Sequence, residues 1–138
     1  MKKTITHLIL GLGAVLLIGC AGSPINLSSM SPAQLTSQSD VTLAQGYGVI
    51  RDPDVRAELE RRKIFSRTEW QLIDAKSVAV GMSELALIAS QGLPSIYGGI
   101  NTTVTAGGAS KQYVYRATTY HKPSYVYVDG GKVTAYQR

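Results

Sequence analysis

Residues 124–137 read SYVYVDGGKVTAYQ, and the pattern of this stretch decides the fold. Its two halves alternate with the two-residue period of half-buried strands. Between them Asp129, Gly130, Gly131 and Lys132 form a tight hairpin signal, because glycine takes a positive φ without steric cost. Residues 111–116, KQYVYR, repeat the alternation, so an antiparallel meander is expected. Within each strand the tyrosines and valines face opposite sides, one row toward helices and the other toward solvent. Aromatic residues are enriched at protein contacts, which makes Tyr113, Tyr115, Tyr125 and Tyr127 the candidate partner-binding residues. The preceding stretch, GGINTTVTAGGAS (98–110), reads as an extra edge strand bounded by glycine pairs or as a long loop, and residues 97–109 are a second candidate contact.

Upstream the composition changes. Of eight tyrosines, seven lie beyond residue 92, whereas residues 40–92 are helical in character. Asp52 caps a helix with Pro53 in its first position, and Val55 and Leu59, four apart, give a narrow apolar stripe suited to the surface. Ser66 and Glu69 form a capping box ahead of Trp70 and Ile73. Ser83 caps a third helix with Leu85, Ile88 and Ala89 on one face, Gly92 past its end and Pro94 as a stop. Gly81 before Met82 marks a turn suited to a small residue. Helices first and strands after argue α+β: a two-layer domain of short N-terminal helices packed on a three- to four-stranded antiparallel meander.

The N-terminus reads as an address. Lys2 and Lys3 precede an apolar run from Leu8 to Ile18, about half the length that crosses a bilayer, and then small Gly19. Leu17, Ile18, Gly19 and Cys20 look like a bacterial lipobox, with cleavage after Gly19 and acylation of Cys20. The expected organisation is therefore a signal peptide at 1–19, a lipidated cysteine and flexible tether at 20–39, and a single periplasmic domain at 40–138. The tether is Ser-rich and uncharged as far as Asp40, with room for a short helix after Ser31 where Pro32 suits the first position. Ala21 after the cysteine leans toward the outer membrane. Because Cys20 is the one cysteine, an internal disulfide is excluded.

Chemistry finds little footing. Loss of residues 1–19 leaves 12 Lys and Arg against 9 Asp and Glu, and five of those basic residues share one segment, RDPDVRAELERRK, with four acids. Surface ion pairing accounts for Glu58, Glu60, Arg61 and Arg62, and no basic stripe with interleaved aromatics points to nucleic acid. His121 is the one histidine after residue 19, too few for a metal site, so neither metal nor cofactor is expected beyond the lipid on Cys20. There is no G-x-S-x-G elbow, S-x-x-K pair or phosphate-binding loop, and no small-molecule substrate is inferred. A catalytic reading would have to rest on His121 with Asp129. Trp70 reads as core.

The run VAVGMSELALIASQGLP (78–94), then QYVYR (112–116), then YVYVDGGKVTAYQ (125–137), together with the lipobox, resembles the SmpA/OmlA family of small outer-membrane lipoproteins, which includes the BamE subunit of the β-barrel assembly machine. Gly81, Met82, Ser83, Gly92, Pro94, Tyr113, Tyr115, Asp129 and Gly130 sit at the matching places, and the likeness covers roughly Ile73 to Tyr136. It implies a compact α/β domain that binds protein partners without catalysis. The same fold occurs in secreted β-lactamase-inhibitor proteins, so two functions are expected of the chain. One is a lipid-anchored binding or assembly module at the outer membrane. The alternative is a periplasmic inhibitor or exclusion lipoprotein, borne on a mobile element, that blocks an enzyme or a phage component.

Overall fold

The computed structural model describes residues 26–138, so Gly19, Cys20 and the signal-like segment lie outside the described residues. The fold is α+β, five helices followed by a four-stranded sheet. The helices are α1 (Pro32–Thr36), α2 (Asp40–Ile50), α3 (Pro53–Arg61), α4 (Arg67–Asp74) and α5 (Glu84–Gln91). The strands are β1 (Gly99–Thr105), β2 (Gly108–Tyr115), β3 (Ser124–Asp129) and β4 (Lys132–Gln137), antiparallel throughout in the order β1-β2-β3-β4.

Local chemistry fixes the helix starts. Ser66 and Glu69 close the expected capping box, and Ser31 with Gln34 closes another ahead of Pro32. The Asp52 carboxylate accepts from the N–H groups of Asp54 and Val55, and Ser83 Oγ accepts from Ala86 N–H. At the last hairpin Gly130 and Gly131 take φ of 56° and 74°, the left-handed pair that a two-residue turn needs.

Two expectations about the helices need correction. The ordered fold begins well before Asp40: Leu27, in a 3-10 turn, and Leu35, on α1, are 2% and 1% exposed, so these two side chains pack into the core and the tether reading fails over residues 27–36. The Arg62 guanidinium supplies the reason. It donates to the carbonyls of Leu35, Thr36 and Gln38 at 3.2, 2.9 and 2.9 Å, capping the orphan acceptors where α1 ends. On α5, burial runs wider than the expected face of Leu85, Ile88 and Ala89. Ala86, Leu87, Ile88, Ala89 and Ser90 are all buried, while Leu85 is only partly so, because α2 and α4 flank the helix and the sheet lies beneath it.

α2 passes α5 closely because of Gly48. A Cβ there would come within 2.8 Å of the Gly92 backbone and closer still to the Ile88 carbonyl oxygen. At the domain's edge Trp70 meets Tyr47 and Phe65 edge-on, with ring centroids 6.0 and 5.2 Å away, and Arg56 lies over its face. From the sheet, Tyr113, Val126, Val128 and Val133 complete the same core.

Candidate functional site

The four candidate tyrosines do not form one row. Register places Tyr113 opposite Val126 and Tyr115 opposite Ser124, whereas Tyr125 faces Val114 and Tyr127 faces Gln112. Adjacent strands carry their tyrosines at opposite parity, so Tyr113 and Tyr115 point into the domain and Tyr125 and Tyr127 away from it. Tyr113 donates to the Glu84 carboxylate and Tyr115 to the Gly92 carbonyl at 3.1 Å, tying both ends of α5 to β2. Burial and the neighbouring Glu84 push both phenols above their ordinary range. These two are structural, and the expected tyrosine contact surface shrinks to Tyr125 and Tyr127. On that outer face a polar ladder runs from Asn101 through Gln112 to the Tyr127 hydroxyl, at 2.9 and 3.1 Å.

The segment read as edge strand or loop at 98–110 is a strand pair. β1 and β2 form a hairpin turning at Ala106 and Gly107, in continuous register from Gly99↔Val114 to Thr105↔Gly108. β2 therefore begins three residues before KQYVYR. Every residue from Ile100 to Thr105 is exposed.

The two sheet edges differ. At the start of β4 the Gly81-Met82-Ser83 turn lies as cover: Gly81 N–H donates to Val133 O at 2.8 Å, Val133 N–H to Met82 O at 2.9 Å, and Glu84 N–H to Gly131 O at 2.9 Å. Ser83 bridges to Lys132. Glu69 secures this turn by accepting from Ser83 N–H at 2.9 Å while closing its own cap with Ser66. Burial alone would raise the Glu69 carboxyl, but the hydrogen bonds from Ser66 and Ser83 outweigh it and hold the pKa at about 2. The residues that carried the resemblance thus have structural places: Gly81, Met82 and Ser83 cover the start of β4, Gly92 ends α5 with φ 73°, Pro94 follows in the loop, and Asp129 and Gly130 open the last hairpin. The edge of β1 carries no such cover among the described residues.

Between α2, α5 and the inner face of the β1–β2 hairpin lies an open cleft of about 620 Å³. Val41, Leu93 and Ile100 reach it, 48%, 43% and 41% exposed, alongside Leu85. On its floor Lys111 and Glu84 pair at 2.8 Å, so the cleft presents apolar carbon around a neutralised ion pair. The sequence marks Leu85 and Ile88 only as core, and nothing in their local spacing signals that half of this stripe stays uncovered.

Several titratable groups elsewhere are engaged in structural work. Glu58 departs from the surface-pair reading: at 8% exposure it holds both Arg61 and Arg62 at 2.7 Å, and these guanidiniums lower its carboxyl to about 2. Arg56 hydrogen-bonds Asp74, lowering that carboxyl, and also reaches Tyr47 and Glu60. Ser110 and Thr134 hydroxyls lower Asp129, while His121 bonds Thr118 at 2.7 Å, so these two belong to separate networks. Among the described residues no cluster of His, Cys, Asp and Glu is arranged to hold a metal, and no helix is long and apolar enough to cross a membrane.

Comparisons with family models, with curated proteins and with solved structures return no match to this chain.

Proposed function

We propose that the chain is a non-catalytic protein-binding module, tethered at a bacterial outer membrane through lipid on Cys20, that receives an extended, mainly uncharged polypeptide segment in the cleft beneath the β1–β2 hairpin. The observation that carries this reading is the open cleft between α2, α5 and the inner face of the β1–β2 hairpin, where Val41, Leu93 and Ile100 stay exposed. An extended segment suits the cleft, for its side chains meet Val41, Leu93 and Ile100. Anchorage supports the same role, since confinement beside a membrane raises the effective concentration of a modest binder. The engagement of Glu58, Glu69 and Asp74 in caps and ion pairs, and of Asp129 with hydroxyl donors, supports binding over catalysis.

The test places a photoreactive residue at Leu93, in the cleft, and separately at Thr103, on the outer face of β1, in the full chain in intact cells. A discrete adduct from position 93, lost when Ile100→Asp is added, is the expected result. Adducts from position 103 alone, or from neither, overturn the cleft as the binding site. In the same cells Cys20→Ala is expected to move the protein from the membrane to the soluble periplasmic fraction; retention at the membrane overturns the anchor.

A further inference from the structure

The cleft has only one wall. α2 and α5 stand on one side, β1 and β2 form the floor, and beyond β1 the described residues supply nothing. Natural sheets protect such an edge with charge, proline, a bulge or a covering segment. Gly99–Thr105, GINTTVT, has no charged residue and no proline, and it pairs with β2 without a register shift.

This strand is complementary to itself. In an antiparallel pair of two β1 strands related by a two-fold axis through Thr102, all seven residues find partners. Ile100 falls opposite Val104 of the second copy, and Val104 opposite its Ile100. Thr102 meets Thr102, and on the other face Asn101 meets Thr103. Ile100 and Val104 are 41% and 77% exposed, both on the inner face, and β-branched pairs across strands are stabilising. A charged residue at the centre would oppose its own copy, and none is present. Because the axis runs through the sheet, both inner faces lie on the same side. The helices α2 and α5 of the second copy then stand across the joined floor as the missing wall.

We infer that two copies of this chain pair antiparallel through β1, centred on Thr102, forming a continuous eight-stranded sheet over which two half-clefts become one trough. The trough rests on the binding role proposed for the cleft, whereas the pairing itself does not.

The experiment is sedimentation of the full chain in detergent, as the wild type, as Thr102→Lys, as Thr102→Glu, and as an equimolar mixture of the two variants, with circular dichroism to check folding. The expected result is a wild-type dimer, self-association weakened about tenfold or more in each variant alone, and a dimer restored in the mixture, where opposite charges meet across the axis. A monomeric wild type, single variants that still pair like the wild type, or a mixture that stays monomeric each overturn the pairing. Failure here with an intact Leu93 adduct removes the dimer and leaves the cleft as a binding site; a charge-rescued dimer without that adduct does the reverse.

Discussion

The guanidinium of Arg62 donates to the carbonyl of Thr36 at 2.9 Å, across 26 residues of chain, and the same group salt-bridges Glu58 and Asp40. One side chain near the end of α3 thereby fastens α1, whose single turn and a half would not hold by helix propensity alone. Arg62→Ala is expected to free residues 26–39 while α3 stays folded. Limited proteolysis checks this: cleavage should move into that segment and speed up several-fold.

Two carboxyls sit at about 2, well under the ordinary 4.5: Glu58 between its arginines and Glu69 under its hydrogen bonds. A folded-state pKa lower than the unfolded one contributes stability that is fully present above the unfolded value and is lost as pH falls through the folded value. Urea stability is expected to be flat from neutral pH to about 5 and to decline between about 4.5 and 2. Glu69→Gln should flatten part of that decline, and an unchanged acid limb in the variant would contradict the assignment.

Phenylalanine substitutions separate the two tyrosine pairs. Tyr113→Phe removes a hydroxyl that donates to Glu84 inside the domain, at an expected cost of about 1–3 kcal/mol. Tyr127→Phe, on the outer face, should stay within about 0.5 kcal/mol of the wild type. Equal losses in chemical denaturation would mean that the facing of β2 and β3 is wrong.

Gly48→Ala forces a methyl group against the backbone of α5 and Gly92, and the two helices must separate to admit it. An overpacking cost of about 1–3 kcal/mol is expected. Gly99→Ala is the control, since a Cβ there meets nothing within 4 Å. Thermal unfolding of both variants reads the difference.

Much of this fold was legible because its punctuation is local. Ser66 with Glu69, Asp52 with Pro53, Ser83 with Gly92, and the Asp129-Gly130-Gly131 turn each work within a few residues, and each stands in the structure where the spacing placed it. What stayed hidden depends on distant partners. The facing of Tyr113 against that of Tyr125 is set by the β2–β3 register, which neither strand encodes by itself. α2 lacks a clear pattern because Gly46 and Gly48 cost helix propensity, and the contacts that offset them, with Leu27 and with α5, lie elsewhere in the chain. Leu27 and Leu35 lie in the segment that composition marks as a Ser-rich tether, and what orders them, Gly46 and Arg62, lies elsewhere in the chain. The cleft is illegible in the sequence for a related reason: it is a region where packing stops, lined by residues from α2, α5 and the β1–β2 hairpin that lie far apart in the chain.

The turn at Gly81–Ser83 has a consequence for how large an assembly this sheet can build. A ribbon with two adhesive margins polymerises, each new member leaving a fresh margin for the next. The chain's own backbone occupies the β4 margin from Gly131 to Val133, so a strand joining there must displace the turn or pair only with the residues beyond it, and the proposed pairing through β1 is the unobstructed one.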